Sequence, residues 1–425
     1  MRTRRLIMVL VTLTIAMTGL GIGAWQLRLS SPSAPSSEQA SLQIDFIAVI
    51  GPDGTEGEAT SWPSAPKLAL SPQSGLHVVY QRNWAAGTRE ARWIYAYSQD
   101  GGRNWQLEER AGRQPTVAVD ARGTVYIAFV ERTAAEDHLW LWARSPIQRG
   151  GWIERIVVRG PERSLGRPAL AAGPEGLSLV WERYQEVPSI EYAQPPLLGA
   201  DAEAWQKAPL AVETLAQSEQ GVYFPAVVVN ADDPESVLVV WEAAASPIAH
   251  RLDGAVRSAP ESDWTFLTDI SAGAGDARHA TLGLGPDRRA HLAFVIRERG
   301  FRSALYTAVF SLDVGRWSAP TRVLLQEPQG LDPTQQLLLA FPAIWSSVLV
   351  WGHTVPAACG TGPLYWQLVL DSVQAQAQMQ GLLGEFASYP HLREGPRGIY
   401  HLLWTDRDVG ELRAFVVKYA RLHLH

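Results

Sequence analysis

Cysteine is almost missing from this chain: Cys359 is the single one in 425 residues. That excludes an internal disulfide and any zinc cluster built on cysteines. A basic block is missing too. The net charge is −6 and the pI about 6.0, which argues against a nucleic-acid partner. The ten histidines are scattered without His-Glu-x-x-His spacing, so no metal site is expected, and His423 and His425 read as an ordinary C-terminus. Gly283-Leu284-Gly285 lacks the strand–helix context of a dinucleotide site, and no Gly-x-Ser-x-Gly elbow occurs. No cofactor is expected. Helical periodicity is weak throughout.

What the chain has in excess is tryptophan, 17 residues against 4 methionines. Many of these tryptophans fall at regular intervals, which points to architecture before binding. With 46% hydrophobic residues the chain can bury a large core, and its length suits a repeat fold.

One long apolar run stands at the N-terminus. Arg2, Arg4 and Arg5 precede an uncharged stretch from Leu6 to Leu27. As a helix at ~1.5 Å per residue it would reach roughly 33 Å, enough to span a bilayer. The positive flank orients the N-terminus inward and sends the remainder across. Residues 1–28 are therefore expected to be a signal anchor, with a cleaved signal peptide as the alternative. Residues 29–42, rich in Ser and Pro, read as a linker. Both readings place residues 43–425 outside the cytoplasm, either on a single-pass membrane anchor or secreted.

From residue 43 the chain repeats one unit. Short strands begin at Pro66, Pro115, Pro168, Pro225, Ala280, Pro342 and Pro390, at intervals of 48 to 62 residues. Each is followed by an apolar strand ending in an aromatic: Tyr80, Phe129, Trp181, Trp241, Phe294, Trp351 and Trp404. Such runs, rich in Val and Leu and bounded by Gly and Pro, read as strands buried on both faces. Third and fourth strands complete each unit, except that the last one lacks a fourth. The isolated strand near residues 43–51 is expected to supply it by pairing beside residues 414–423, because an open array would leave two raw edges. The expected fold is all-β, a β-propeller of seven four-stranded blades closed by the N-terminal strand. A six-bladed ring with one extra hairpin is the alternative.

The turn between the third and fourth strands of the first unit is Ser98-Gln99-Asp100-Gly101-Gly102-Arg103-Asn104-Trp105. Asp and Ser suit backbone N–H groups there, Gly a positive φ, and Trp a seal against the neighbouring sheet. Ser145 and Trp152 keep the offset without the Asp. Ser311, Asp313, Gly315 and Trp317 keep the residue types with one position deleted. This motif resembles the Asp box (BNR repeat) of the sialidase superfamily, and the resemblance covers nearly all of residues 43–425.

In a propeller, the loops entering first strands and leaving second strands share one face, opposite the Asp-box turns. Arg113, Arg167, Tyr223, Arg278, His279, Tyr389 and His391 enter there. Gln81, Glu131, Arg132, Glu182, Glu242, Arg297, His353 and Asp406 leave there. Such a concave, charged and aromatic funnel suits a polar ligand, although charged residues are also the ordinary way to end a buried strand. Arg113, Arg167, Arg297, His353, Tyr223 and Tyr389 are the candidate ligand-binding residues. The resemblance implies three arginines on a sugar carboxylate, a Tyr–Glu nucleophile and an Asp acid/base. Arg113-Gln114-Pro115 has the family's Arg-x-Pro spacing but follows the intact box, where the family's precedes it. The favoured expectation is a binding module for a glycan or an extracytoplasmic protein. The alternative is a sialidase-like glycoside hydrolase on acidic sugars, with Glu182, Glu242 or Asp406 as its carboxylates.

Overall fold

The computed structural model describes residues 42–51, 59–62, 64–83, 91–146, 151–230, 236–246, 248–259, 262–273, 275–285, 289–297, 303–311, 315–323, 340–345, 348–353, 364–368, 378–379, 388–407 and 415–424. The expected anchor and nearly all of the linker lie outside them, as does Asp313. Among the described residues no helix is long and apolar enough to cross a membrane.

The chain is an all-β propeller of four-stranded antiparallel blades. Its strands form seven sheets, and in six of them the strand order across the sheet follows the sequence. Numbered along the chain, sheet one begins at Leu68, two at Arg113, three at Leu165, four at Val222, five at Asp276, six at Ala340 and seven at Ser388. Sheet seven takes its outermost strand from the other end of the chain: Leu42–Val49 pairs with Phe415–Leu424, Leu42 facing Leu424 and Val49 facing Lys418. The first strands of sheets with neighbouring numbers touch, and that of sheet seven touches that of sheet one.

The apolar second strands are buried because each is flanked by strands on both edges and by sheets on both faces. Val79, Ile127, Val180, Val239 and Leu402 are buried essentially completely. The core accordingly lies between sheets. One cluster joins Leu141 and Tyr126 of sheet two to Leu179 and Trp181 of sheet three, another joins Val240 of sheet four to Phe294 of sheet five.

The Asp-box turn folds as its residues dictate. Asp100 Oδ1 accepts from the N–H groups of Arg103 (3.0 Å) and Asn104 (2.9 Å), and Ser98 Oγ accepts from Gly102 N–H (2.9 Å). Hydrogen bonds from the Asn104 backbone and side-chain amides, and from the Ser98 hydroxyl, hold the Asp100 carboxyl well below the ordinary carboxylate range. Gly102 has φ +95°, and a Cβ there would lie 2.1 Å from the ring of Tyr419 in sheet seven. Trp105 packs edge-on against that same ring at 5.5 Å. The arrangement recurs between other sheets. Trp152 meets Tyr95 at 5.2 Å and Trp264 meets Tyr192 at 4.9 Å. Each of these two indoles also donates to a glutamate of the preceding sheet, Glu108 at 3.1 Å and Glu213 at 2.9 Å. Arg144 and Arg257 stack on the two indoles and pair with the same carboxylates. In the third box Gly315 sits at φ +67° and Trp317 packs on Phe310 at 5.2 Å.

One element departs from the sequence reading. Where strands alone were expected, Trp205 lies on a short helix, Ala202–Lys207, inserted before the fourth strand of sheet three. Asp201 caps it by accepting from Ala204 N–H, and Trp205 is buried under Arg155 of sheet two. Six residues are too few for a 3.6-residue periodicity to register.

Candidate functional site: the mouth of the propeller

Five of the first strands show the same irregularity at their entry. Gln114, Arg167, Phe224, His279 and Tyr389 each have φ between +44° and +56°. Each sits in a β-bulge where the first strand's register against the second shifts. A non-glycine residue held there is strained by roughly 1–2 kcal/mol, so something must hold its backbone.

The holding groups come from the preceding sheet. The residue directly after the aromatic that ends the second strand accepts the bulge N–H. Gln81 Oε1 takes Gln114 N–H (3.0 Å), Glu182 Oε1 takes Phe224 N–H (2.6 Å), and Glu242 Oε1 takes His279 N–H (2.7 Å). Thr405 Oγ1 takes Thr60 N–H (3.0 Å), linking sheet seven to sheet one. In sheet two that position is Val130, and Gln114 Oε1 receives Arg167 N–H instead (2.9 Å). Glu182 and Glu242 are therefore buried fasteners between sheets, each giving its second oxygen to a side chain, Arg167 and His250 respectively. A polar residue set immediately behind a buried aromatic was the sequence signal for this role.

Three clusters follow round the rim. In the first, Asp137 receives Arg113 (3.2 Å), Arg132 (3.0 Å) and the N–H of Leu165 (3.2 Å). Burial, then the charge of Arg132, lower the Arg113 pKa to about 10, against the pull of Asp137.

In the second, Arg167 bonds Glu182 Oε2 (2.8 Å) and Tyr184 Oη (2.9 Å), and Tyr184 donates to the same carboxylate. The guanidinium lies 4.3 Å from the ring centres of both Trp62 and Phe224. Trp62 comes from a short insertion between Thr60 and the first strand of sheet one. It crosses the mouth to reach sheets three and four. Burial pushes Glu182 up against the opposing charge of Arg167; burial lowers Arg167, but the charges of Glu182 and Tyr184 and the hydrogen bond to Glu182 together outweigh it and leave the guanidinium above its ordinary value.

The third cluster lies between sheets four and five. Glu242 Oε2 bonds His250 Nδ1 at 3.1 Å, and the His250 ring stacks on Tyr223 at 5.6 Å. The His250 N–H donates to Asp276 Oδ1 (2.8 Å), which also takes Arg278 (2.8 Å), and Arg297 stands 4.0 Å from Asp276 Oδ2. Burial holds the His279 pKa below its ordinary value. A carboxylate only accepts, so His250 Nδ1 is the donor in this pair, and Nε2 is the ring nitrogen turned away from Glu242. Among the described residues no group bonds that nitrogen, and the ring is partly exposed.

Of the residues singled out in the sequence, Glu242, Tyr223 and Arg297 meet in this third cluster, and Arg167 with Glu182 in the second. Arg113 stands in the first. Asp406 is apart, buried and bonded to Lys418 (2.8 Å) and Trp404 (3.3 Å). Tyr389 contributes its carbonyl to Thr60 Oγ1 (2.9 Å). The side chain of His353 is outside the described residues. His250, Asp137, Tyr184 and Trp62 were missed. His250 and Asp137 stand near the starts of third strands, which also open on the mouth face. No group of three or more His, Cys, Asp or Glu side chains among the described residues could hold a metal ion.

No family model matches the chain, and no curated protein matches it. Solved structures do. An ulvan lyase representing a new family of polysaccharide lyase is 9% identical, with 87% of this chain and 94% of that chain covered and a TM-score of 0.59. The polysaccharide lyase Uly1 is 8% identical, with 89% and 93% covered and a TM-score of 0.50. The endosialidase of phage phi92 is 10% identical, with 89% and 69% covered and a TM-score of 0.49. At these identities the likeness is one of fold alone: the chain is a β-propeller whose fold is similar to those of the two polysaccharide lyases.

Proposed function

We propose that the protein acts on an acidic polysaccharide at the mouth between sheets four and five, with His250 as the proton-transferring group. The observation that carries this is the Glu242–His250 pair, a buried carboxylate fixing the tautomer of a ring whose Nε2 is open to the mouth. The fold likeness to polysaccharide lyases supports elimination as the reaction. His250 Nε2 would take the proton alpha to a uronate carboxylate. The released electron pair forms the new carbon–carbon double bond, and the glycosidic carbon–oxygen bond breaks. Tyr223, stacked on His250, is placed to return a proton to the leaving oxygen. Arg297, its side chain 43% exposed, is placed to neutralise the uronate. No water is consumed.

A panel of uronate polysaccharides, ulvan included, tests the reading through the ultraviolet absorbance of the unsaturated product. General-base loss in His250→Gln should lower turnover by at least about 100-fold. A variant as active as the parent would overturn it. Binding without turnover is the second reading, favoured because Arg113, Arg167 and Glu182 are all held by partners within the fold. Affinity for such a polysaccharide with no product in any condition would establish it.

The finer architecture belongs to the same reading. The seven sheets are taken as seven blades of one ring, with Leu42–Val49 as its closing strand. The Leu6–Leu27 run is taken as the tether that holds this ring outside the cytoplasm.

A further inference from the structure

We infer that Gly221 is a positioning residue for Tyr223, holding its phenol beside the His250 ring by leaving it the space that a side chain at 221 would take. The inference rests on the reading of His250 and Tyr223 as the proton-transferring pair. Gly221 is buried at the entry of sheet four, three residues before the bulge at Phe224, with φ +106°. A Cβ there would fall 2.7 Å from Cε2 of Tyr223 and closer still to its Cζ and Oη. The bulge itself does not ask for this glycine. The matching positions in sheets two, three and five are Ala111, Ser164 and Asp276, none of them at positive φ.

The backbone of Gly221 is pinned on both sides. Its N–H donates to the carbonyl of Ser218 (3.0 Å), its carbonyl accepts from Ala244 N–H (3.0 Å), and the next residue, Val222, pairs with Ala243 in the sheet. The phenol is not pinned. Tyr223 is half-buried, and among the described residues no group hydrogen-bonds its hydroxyl. Packing alone therefore sets where that hydroxyl stands. The contacts are the His250 ring at 5.6 Å and 14°, the Phe224 ring at 6.3 Å, and the bare Cα of Gly221. A methyl group at 221 would displace the ring, taking the hydroxyl from the leaving oxygen and disturbing the stack. The bond between His250 and Glu242 would stay, because neither residue meets the added methyl. Proton delivery is sensitive to such a shift, since misplacing a reacting group by about 1 Å can cost about 100-fold in rate.

The test combines turnover of a uronate polysaccharide with the His250 ring signal in the NMR spectrum of the full chain. The histidines carry carbon-13, and the signal is identified by its loss in His250→Gln. Gly221→Ala should lower kcat by about 10-fold to 100-fold with KM unchanged within about two-fold. It should also move the His250 signal toward the place it takes in Tyr223→Ala. In Tyr223→Ala the obstructing ring is gone, so adding Gly221→Ala should change neither the residual turnover nor the signal further. A further loss equal to that in the parent would mean that backbone strain acts in place of the ring, and would overturn the inference. An unmoved His250 signal in Gly221→Ala would overturn it too. Should Gly221→Ala fail to fold, the double variant decides: folding restored by Tyr223→Ala supports the contact, and continued failure refutes it. A parent without turnover on any uronate polysaccharide would sink the elimination reading instead, and the His250 signal alone would then decide the placement of Tyr223.

Discussion

At the scale of single residues, the most legible part of this molecule is the Asp-box turn. Ser98, Asp100, Gly102 and Trp105 do what their chemistry asks: two short side chains cap backbone N–H groups, and a glycine takes φ +95°. Gly102→Ala meets both the left-handed backbone and the Tyr419 ring, so it should destabilise by more than about 1 kcal/mol in denaturant unfolding. Trp105→Ala should cost roughly 3–5 kcal/mol, with polysaccharide binding by the folded fraction unchanged. A melting temperature equal to the parent's would remove the role given to this contact. Arg167 makes a second test. Replacing it with Met leaves Glu182 buried without its partner, a change of about 3–5 kcal/mol, and adding Glu182→Gln should recover part of the loss. Residues such as Glu182 were hard to read because a charged letter after a strand looks like a solvated end. Here it is fully buried, holding the N–H of Phe224 in the next sheet.

At the scale of elements, terminal aromatics and entering prolines marked the second and first strands well, because burial on both faces leaves continuous apolar runs. The bulges at five of these entries were not legible. Nothing in Gln-Pro, Arg-Pro or Phe-Pro as dipeptides announces a positive φ; the acceptor that stabilises it lies in another sheet. The third-strand starts were overlooked for a related reason. Their hairpins can point either way until the sheet order is known, and so His250 stayed hidden while its partner Glu242 did not. Deleting Leu42–Val49 should bare the edge of Phe415–Leu424 and promote aggregation. Sedimentation of a deletion variant as monodisperse and as stable as the parent would count against the closing role of that strand.

At the scale of the whole molecule, repetition sets the acid response. His77 and His401 occupy matching places in sheets one and seven, each bonding the hydroxyl of a third-strand tyrosine, Tyr95 at 2.8 Å and Tyr419 at 2.6 Å. Burial lowers both histidines to about 4, and His391 to about 3. Below the ordinary histidine value of about 6.5 the unfolded chain takes up these protons and the folded chain does not. Stability should therefore fall as pH drops from about 6.5 toward 4, by about 1.4 kcal/mol per histidine per pH unit once well below 6.5. Glu182, whose pKa is raised, acts in the opposite sense over its own range. Urea midpoints measured from pH 7 to 4.5 check this, and replacing His77 and His401 by Gln should flatten the slope.

The repeat also explains why a mouth exists at all: it brings strand ends far apart in sequence to one rim, and most of their charges then serve to fasten neighbouring sheets. What remains open is the His250 ring. The most direct measurement of the account is the mass of the fragments released from a uronate oligosaccharide by the intact protein. Elimination at His250 predicts two fragments whose masses sum to that of the parent, and none from His250→Gln. Fragments whose sum exceeds the parent by one water, or release that survives the substitution, would contradict it.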